Sequence, residues 1–439
     1  MKRISLLTIA VFLATLCCKA QLTLDYCIAR ADENYPLIRK YGLIEQSQTL
    51  ALSDINRGWL PRIGVYAQAT AQSDVPSFPG ILKGMIADMG QEINGIGRVQ
   101  YKAGVDISQT IWDGGSSKAR REAERTAAAE STSATDVRMY EMHEKVMNLF
   151  FGILLMDEQI VRTETTLTLL NDNLRRMQAM YANGTAMQSD VDIIEAQILA
   201  MSQQLTEARS AVQSYRNVLE LYIGEEIGER TLLRLAETIP STFDSARPEL
   251  AMYDARLRHN AAQKGAVSAS VMPHFGLFAQ AYYGYPGFNY FESMINRDLS
   301  FNLLAGIKMS WNIDSFYTRR NSIRRLAVAA DGIENDRDIF LFNSRLQATS
   351  QSDKIDGLRK IMKDDSRIVA LRTDIRRAAE SQLDNGVIDA TSLLTKITDE
   401  NQAHIAASYH EIQLLQHIYQ LKYILNRRNI HIFLFLQPP

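Results

Sequence analysis

The chain has 439 residues, with 48 Lys and Arg against 50 Asp and Glu, 46% hydrophobic and 22% charged residues. That balance is too apolar for a disordered polymer and too polar for a bundle of membrane helices. A mean hydropathy of −0.17 agrees, and with no basic face in a slightly acidic chain a nucleic-acid partner is excluded.

The first element is Ile4 to Cys18, an apolar run behind Lys2 and Arg3 that leads into Cys18-Lys19-Ala20. Basic residues, a short apolar core and a small-x-small site are the pattern of a secretory signal, so residues 1–20 are read as one. Leu16 and Cys17 stand where a lipobox needs a small residue, which disfavours a lipoprotein. Without Lys2, Arg3 and Lys19 the 48 basic residues fall to 45 against 50 acidic ones. Only Cys27 remains after the signal, so an internal disulfide is impossible and packing must supply stability.

Beyond the opening segment Leu22 to Pro36, residues Ile63, Val65, Ala67, Ala69 and Ala71 alternate with Arg62, Gly64, Tyr66, Gln68, Thr70 and Gln72. This period of two predicts a strand with one face in oil and the other in water. After a Pro-, Gly- and Ser-rich stretch from Asp74 to Gly97, read as a surface loop, Tyr101 to Ile111 alternates in the same way. The strand pair is therefore set at about 62–111. Trp59 and Trp112 mark its two ends on the helix-proximal side, where an outer-membrane barrel carries an interfacial girdle.

From Asp113 to Asn183 no proline interrupts 70 positions, which as one helix would reach about 105 Å at 1.5 Å per residue. Leu167, Leu170, Leu174, Met177 and Tyr181 step by three and four up to Asn183-Gly184. Val191, Ile194, Ile198, Met201, Leu205, Ala208, Val212, Tyr215, Leu219 and Tyr222 continue the rhythm beyond it. The pattern predicts a coiled-coil hairpin over about 115–224.

The same order then returns. Trp59 to Ala69 reappears as Val271 to Ala281, and Pro36 and Pro61 match Pro248 and Pro273 at an offset of 212. Gly104 to Ser108 matches Gly306 to Ser310, and Asn183-Gly184 matches Asn385-Gly386, at an offset of 202, so the length change falls in the first loop. Four landmarks in one order are read as two tandem copies, 21–224 and 247–426, joined by a linker over 225–246. The second copy has a strand pair at about 274–313, with Leu299 to Ile313 as its last strand and Trp311 near that strand's end. Its hairpin, at about 316–426, takes Ile361, Ile368, Leu371, Ile375 and Ala378 as the seam. An apolar run from Ile430 to Leu436 lies in the tail, 427–439.

The fold class expected is mixed α and transmembrane β, with long antiparallel helical hairpins and four strands per chain. Four strands cannot close a barrel, and open edges in hydrocarbon leave backbone groups without partners, so several chains must share one. Two chains give eight strands, a barrel filled by its own side chains; three give twelve, the smaller number that leaves a lumen.

Several residue patterns resemble the TolC-type outer-membrane efflux channels. They are Leu22 to Pro36 ending in Asn-x-Pro, Leu60-Pro61 before the first strand, Ile107 to Gly115 leaving the second, and Tyr181 to Thr185 at the hairpin tip. The resemblance covers nearly the whole chain after the signal. It implies a homotrimer with a twelve-stranded barrel among outer-membrane lipid and a helical tunnel in the periplasm. It implies a passive exit duct for efflux or type I secretion, with no enzyme activity, no cofactor and no metal. The implied partners are a periplasmic adaptor and an inner-membrane pump of the RND or ABC type.

On that resemblance Gly184, Thr185 and Ala186, with Gly386, Val387 and Ile388, fall at the tips offered to adaptors. Asp190 aligns with an aspartate at the closed entrance, with Asp389 and Ser392 beside the gate. The second copy departs from the pattern: Ser392 and Thr395 replace a ring of aspartates found in some members, and Ile388 replaces an arginine. Asp389 is assigned part of the missing acidic role.

Other signals carry less. His410 and His417 stand one heptad apart, but no His-x3-His or Cys pairing completes a metal site. Arg319, Arg320, Arg324 and Arg325 cluster after the fourth strand and read as a solvated helix face. A periplasmic adaptor, the main alternative, would carry one hairpin flanked by compact β domains instead of two hairpins that each follow a strand pair. No clustered nucleophile, base or metal set supports a hydrolase.

Overall fold

A computed structural model of the chain describes residues 22–90, 95–227 and 246–426. The expected signal (1–20), most of the linker (225–246) and the tail (427–439) lie outside the described residues. The described residues divide into two units, one of residues 22–42, 133–227, 246–252 and 335–426, the other of residues 43–90, 95–132 and 253–334.

The second of these contains the strands. β1 (Arg62–Ala71), β2 (Val99–Trp112), β3 (His274–Tyr285) and β4 (Ser300–Ser310) form one antiparallel sheet in the order β1-β2-β3-β4. Register follows the alternation: Val65 faces Val105, Val105 faces Ala281, and Ala281 faces Leu303. One face is therefore apolar across all four strands, and it is exposed, Val65 at 82% and Ile307 at 71%. The opposite face carries every charged side chain of the sheet. Helices α2 (Arg39–Arg57), mostly in this unit, and α6 (Pro248–Ala269) precede the two strand pairs, α6 with proline at its first position, where a missing N–H costs nothing.

Three details differ from the pattern expected of the sequence. The stretch Asp74 to Gly97 contains a helix, α3 (Gly80–Asp88), because Ile81, Leu82, Met85 and Ile86 follow Pro79 at helical spacing. A shorter helix, α7 (Tyr290–Ile295), joins β3 to β4. And β4 stops at Ser310, since the Trp311 indole N–H turns away to donate to the Val271 carbonyl at 3.0 Å.

The other unit holds the helical arms and begins with α1 (Leu24–Asn34). The long helices α4 (Ser116–Ala182) and α8 (Ser315–Asp384) have their larger parts here, with the return arms α5 (Gln188–Ile223) and α9 (Ala390–Leu425). Most of the seam predicted for the first hairpin packs as expected: Leu170, Met177, Val191, Ile194, Met201, Ala208, Val212 and Leu219 are buried, whereas Tyr181 and Tyr215 are exposed. Phe150, Phe151, Met142, Ile153, Leu219, Ile223 and Ile412 join Leu24, Cys27, Ile28 and Ala31 of α1 in the largest cluster.

The seam assigned to the second hairpin is incorrect. Ile361, Ile368, Leu371 and Ile375 are exposed at 51%, 47%, 53% and 43%, and Ala378 is exposed as well. The residues that α8 buries are Ser344, Ala348, Ile355, Leu358, Ala379 and Leu383. Heptads of large apolar residues mark the wrong stripe because the buried face mixes small side chains (Ser344, Ala348, Ala379) with large ones (Ile355, Leu358, Leu383) at other positions.

Residues after the linker are tied down strongly. The Ala246 amide donates to the Leu425 carbonyl at 3.1 Å. The Arg247 guanidinium is ion-paired to buried Glu249 and lies over the rings of Tyr140, Phe340 and Tyr423 at 5.7, 5.1 and 5.4 Å. Burial pushes the Tyr423 phenol above its ordinary range.

Cys27 is completely buried and unpaired. Desolvation disfavours its thiolate and pushes the pKa up to about 12. Alkylation by iodoacetamide at pH 8 is therefore expected to be slow in the folded protein and fast in denaturant. Rapid labelling of the folded protein would show that α1 does not stay docked.

Candidate functional site

Both hairpins end in the same way. Gly184 and Gly386 have φ of +76° and +69°, the left-handed region that closes a helix at its first residue outside. Thr185 N donates to Met180 O at 2.9 Å and Gly184 N to Tyr181 O at 2.9 Å. Val387 N and Gly386 N repeat this to Gln382 O and Leu383 O at 2.8 and 2.9 Å. Each tip thus satisfies the carbonyls that its outgoing helix leaves open.

Of the six tip residues singled out from the sequence, Gly184, Thr185, Gly386 and Val387 are exposed. Ala186 and Ile388 pack against one apolar cluster that includes Met177, Val191, Leu383 and Leu393. The two tips therefore share a core, and each presents its surface mainly through the residue after the glycine.

The two expected gate carboxylates do the same work from opposite ends of a capping box. In the first tip the Asp190 side chain, three residues into α5, accepts from the Met187 amide at 2.9 Å. In the second, Asp389 is itself the cap and accepts from the Ser392 amide at 2.8 Å. Hydrogen bonding from Ser392 holds the Asp389 carboxyl below the usual carboxylate range. Its capping contribution is accordingly present above the ordinary carboxylate pKa and is lost as pH falls through the lowered value. Thr395 donates to the Thr391 carbonyl at 2.9 Å, and Ser392 is exposed.

What the sequence reading did not find is an ionic seam close to the second tip. Arg376 pairs with both Glu380 (2.7 Å) and Glu400, and all three are nearly buried; Arg372 meets Asp399 at 2.7 Å. Glu400 and Asp399 stand on α9, 24 and 27 positions from Arg376 and Arg372 of α8, too far for a local pattern to reveal. The histidines have similar uses: His410 Nδ1 lies 2.9 Å from Asp365, and His417 Nδ1 lies 2.8 Å from Gln351. Burial lowers the His417 pKa, which keeps its ring neutral near pH 7.

The three tryptophans all stand at the helix-proximal ends of strands. Trp112 follows a bulge at Thr110 and packs on Phe275 at 5.8 Å. Trp311 meets Phe316 edge-on at 6.3 Å, and the Trp59 carbonyl accepts from Gln109 at 3.5 Å. Next to Trp112, the turn Asp113-Gly114-Gly115 starts α4, with Asp113 accepting from the Gly115 and Ser117 amides at 3.0 and 2.6 Å.

A largely apolar, mostly exposed sheet face and long paired helices in one chain are features of outer-membrane channel folds. Residues 44–225 match the family described as outer membrane efflux protein. The whole chain shares its fold with solved outer-membrane proteins. VceC from Vibrio cholerae is 12% identical, covering 92% of this chain and 95% of that one with a TM-score of 0.68. The Campylobacter jejuni CmeC channel is 13% identical, covering 92% and 85% with a TM-score of 0.66. The Neisseria gonorrhoeae MtrE channel, solved in an open state, is 15% identical, covering 92% and 88% with a TM-score of 0.66. No curated protein gives a sequence match. Over residues 44–225 the chain is thus similar to outer membrane efflux proteins, and over 92% of its length it has the fold of these channels.

If the positive φ is what makes the tip glycines necessary, Gly386→Val costs about 1–2 kcal/mol of local stability and Gly386→Asn much less. Hydrogen exchange at the Val387 amide reads the difference. Equal protection in both variants would show that the turn does not need the glycine.

Proposed function

We propose that three copies of this chain close one twelve-stranded barrel in the outer membrane and form the exit duct of an efflux or type I secretion assembly. The observation that carries this is the sheet itself: β1 and β4 are open edges on either side of a continuous apolar face. In hydrocarbon those edges must be paired, and only β4 of one copy against β1 of the next achieves it without further protein. The exposed stripe Ile361, Ile368, Leu371 and Ile375 on α8 supports the same reading, since a neighbouring copy would cover it.

The tandem-copy organisation belongs to this proposal: each strand pair is followed by its own hairpin, so three chains would present six tips. Thr185 and Val387, exposed beside their glycine turns, are the residues offered to a periplasmic adaptor, which would link the duct to an inner-membrane RND or ABC pump. Asp190, Asp389 and Ser392 would line the entrance, and Trp59, Trp112 and Trp311 would sit at the periplasmic interface of the outer membrane. Conduction through such a duct is passive and needs no catalytic group.

The mass of the protein extracted in detergent from outer-membrane fractions tests the assembly. Three chains are expected, and the triple change Ile368→Glu, Leu371→Glu and Ile375→Glu should release monomers. A monomeric wild type would overturn the shared barrel.

Docking is tested separately by Thr185→Trp with Val387→Trp, which leaves both glycine turns intact. Transport is expected to fall at least tenfold in a protein that still forms trimers. Unchanged transport would remove the tips from the interface.

A further inference from the structure

The charged residues of the sheet are unevenly placed in a way that the overall acidity of the chain hides. Within the four strands the ionised side chains are Arg62, Lys102, Asp106 and Lys308, all at even positions and so all on the polar face. Three basic groups against one acidic group leave +2 per chain on this face, while the whole chain carries −2. None of the three basic side chains has an ion-pair partner among the described residues.

The surroundings hold these charges in place. Lys102 Nζ lies 5.4 Å from the ring of Tyr282 and 5.9 Å from that of Tyr66, two cation–π contacts that leave the ammonium uncompensated. Room for this arrangement comes from glycine. A Cβ on Gly284 would stand 2.6 Å from the Lys102 Cβ, and one on Gly104 would stand 2.6 Å from the Tyr282 Cβ. Asp106, the acidic exception, accepts from Gln280 at 2.8 Å, and the same amide donates to the Tyr66 hydroxyl at 3.1 Å. Four residues along one strand separate Asp106 from Lys102, about 13 Å, too far for direct pairing.

At the helix-proximal end the polar face opens into a recess of about 740 Å³ lined by Arg62, Arg120, His274 and Lys308, with Asp54 and Asp113. Both Asp113 oxygens are already engaged by backbone amides. The recess therefore offers three permanent cations against one uncommitted carboxylate.

We infer that the polar face of this sheet is an anion-selective lining, so that the duct favours anionic solutes, particularly those carrying an aromatic or apolar body beside the negative group. This rests on the duct reading above and adds the class of cargo. Three copies would place +6 around one lumen, where low-dielectric walls focus the field and concentrate counter-ions of the opposite sign. Phe278, Tyr66 and Tyr282 on the same face supply ring surfaces between the cations.

The test is the reversal potential of the purified full chain in planar bilayers across a tenfold KCl gradient. Salt near 0.01–0.1 M keeps the Debye length at about 10–30 Å. Chloride is expected to permeate better than potassium, and Lys102→Glu with Lys308→Glu should lower the chloride-to-potassium ratio by roughly threefold or more. As a control, Arg319→Gln with Arg324→Gln, outside the sheet, should leave the ratio unchanged. Potassium preference in the wild type, or an unaltered ratio in the Lys102/Lys308 variant, would overturn the inference while leaving the duct intact.

Absence of any conductance would instead count against the duct. In that case binding of the aromatic trisulfonate pyranine to the detergent-solubilised protein decides the lining separately. A loss of about fivefold or more in the same double variant is expected, and equal binding refutes the proposal.

Discussion

Everything in this molecule follows from one requirement of the backbone: a peptide group placed in hydrocarbon must find its hydrogen-bond partner within protein. The sheet satisfies that internally for three ladders and leaves two edges, on β1 and β4, that a single chain cannot satisfy. In the proposed barrel the apolar face would meet lipid, and the open edges would then require a neighbouring copy. The local details serve the same end. A bulge at Trp112 and the turn of Trp311 toward Val271 both end strand pairing where the chain passes into helix.

The helical arms face the opposite problem, since they are long, wet and tied by few loops. An isolated helix of such length would have little reason to stay straight or paired; here apolar seams supply the association and polar contacts fix its register. The division of labour differs between hairpins. α4 and α5 rely on large residues such as Leu170, Met177 and Leu219, whereas α8 and α9 add the Arg376 and Arg372 ion pairs to a seam of mixed small and large residues. Nearly buried charges contribute more to specificity than to stability, because desolvation offsets most of their attraction. A slip of α9 along α8 would strand Glu400 without a partner, and that penalty selects the register.

How far the sequence reveals this depends on the range of each signal. Strands such as Ile63 to Ala71 are legible because side-chain alternation is a property of adjacent residues. The tips are legible because Asn-Gly after a long helical pattern has one common reading. The first seam could be read because its large apolar residues are also its contacts. The second misled because Ala348 and Ala379 make contacts that do not look hydrophobic, while Ile368 and Leu371 do look so and are bare in the single chain. The contacts hardest to foresee join distant positions: Arg30 with Glu225, Asn34 with the end of α5 at Leu221 and Tyr222, Arg247 with three rings. Even there the Asn-x-Pro motif marked Asn34 as unusual, although only the structure shows that its amide closes a helix.

The return arms α5 and α9 each contain 36 residues. Equal arms make the two hairpins a matched pair of measuring rods, and a shared apolar cluster at their ends holds the rods level. Lengthening one alone would pull that cluster out of step. A change of seven residues in every arm would keep the seams in phase and alter the reach by about 10 Å. In the proposed duct the reach into the periplasm would thus be set in whole heptads, adjustable only by steps of that size taken in both halves together.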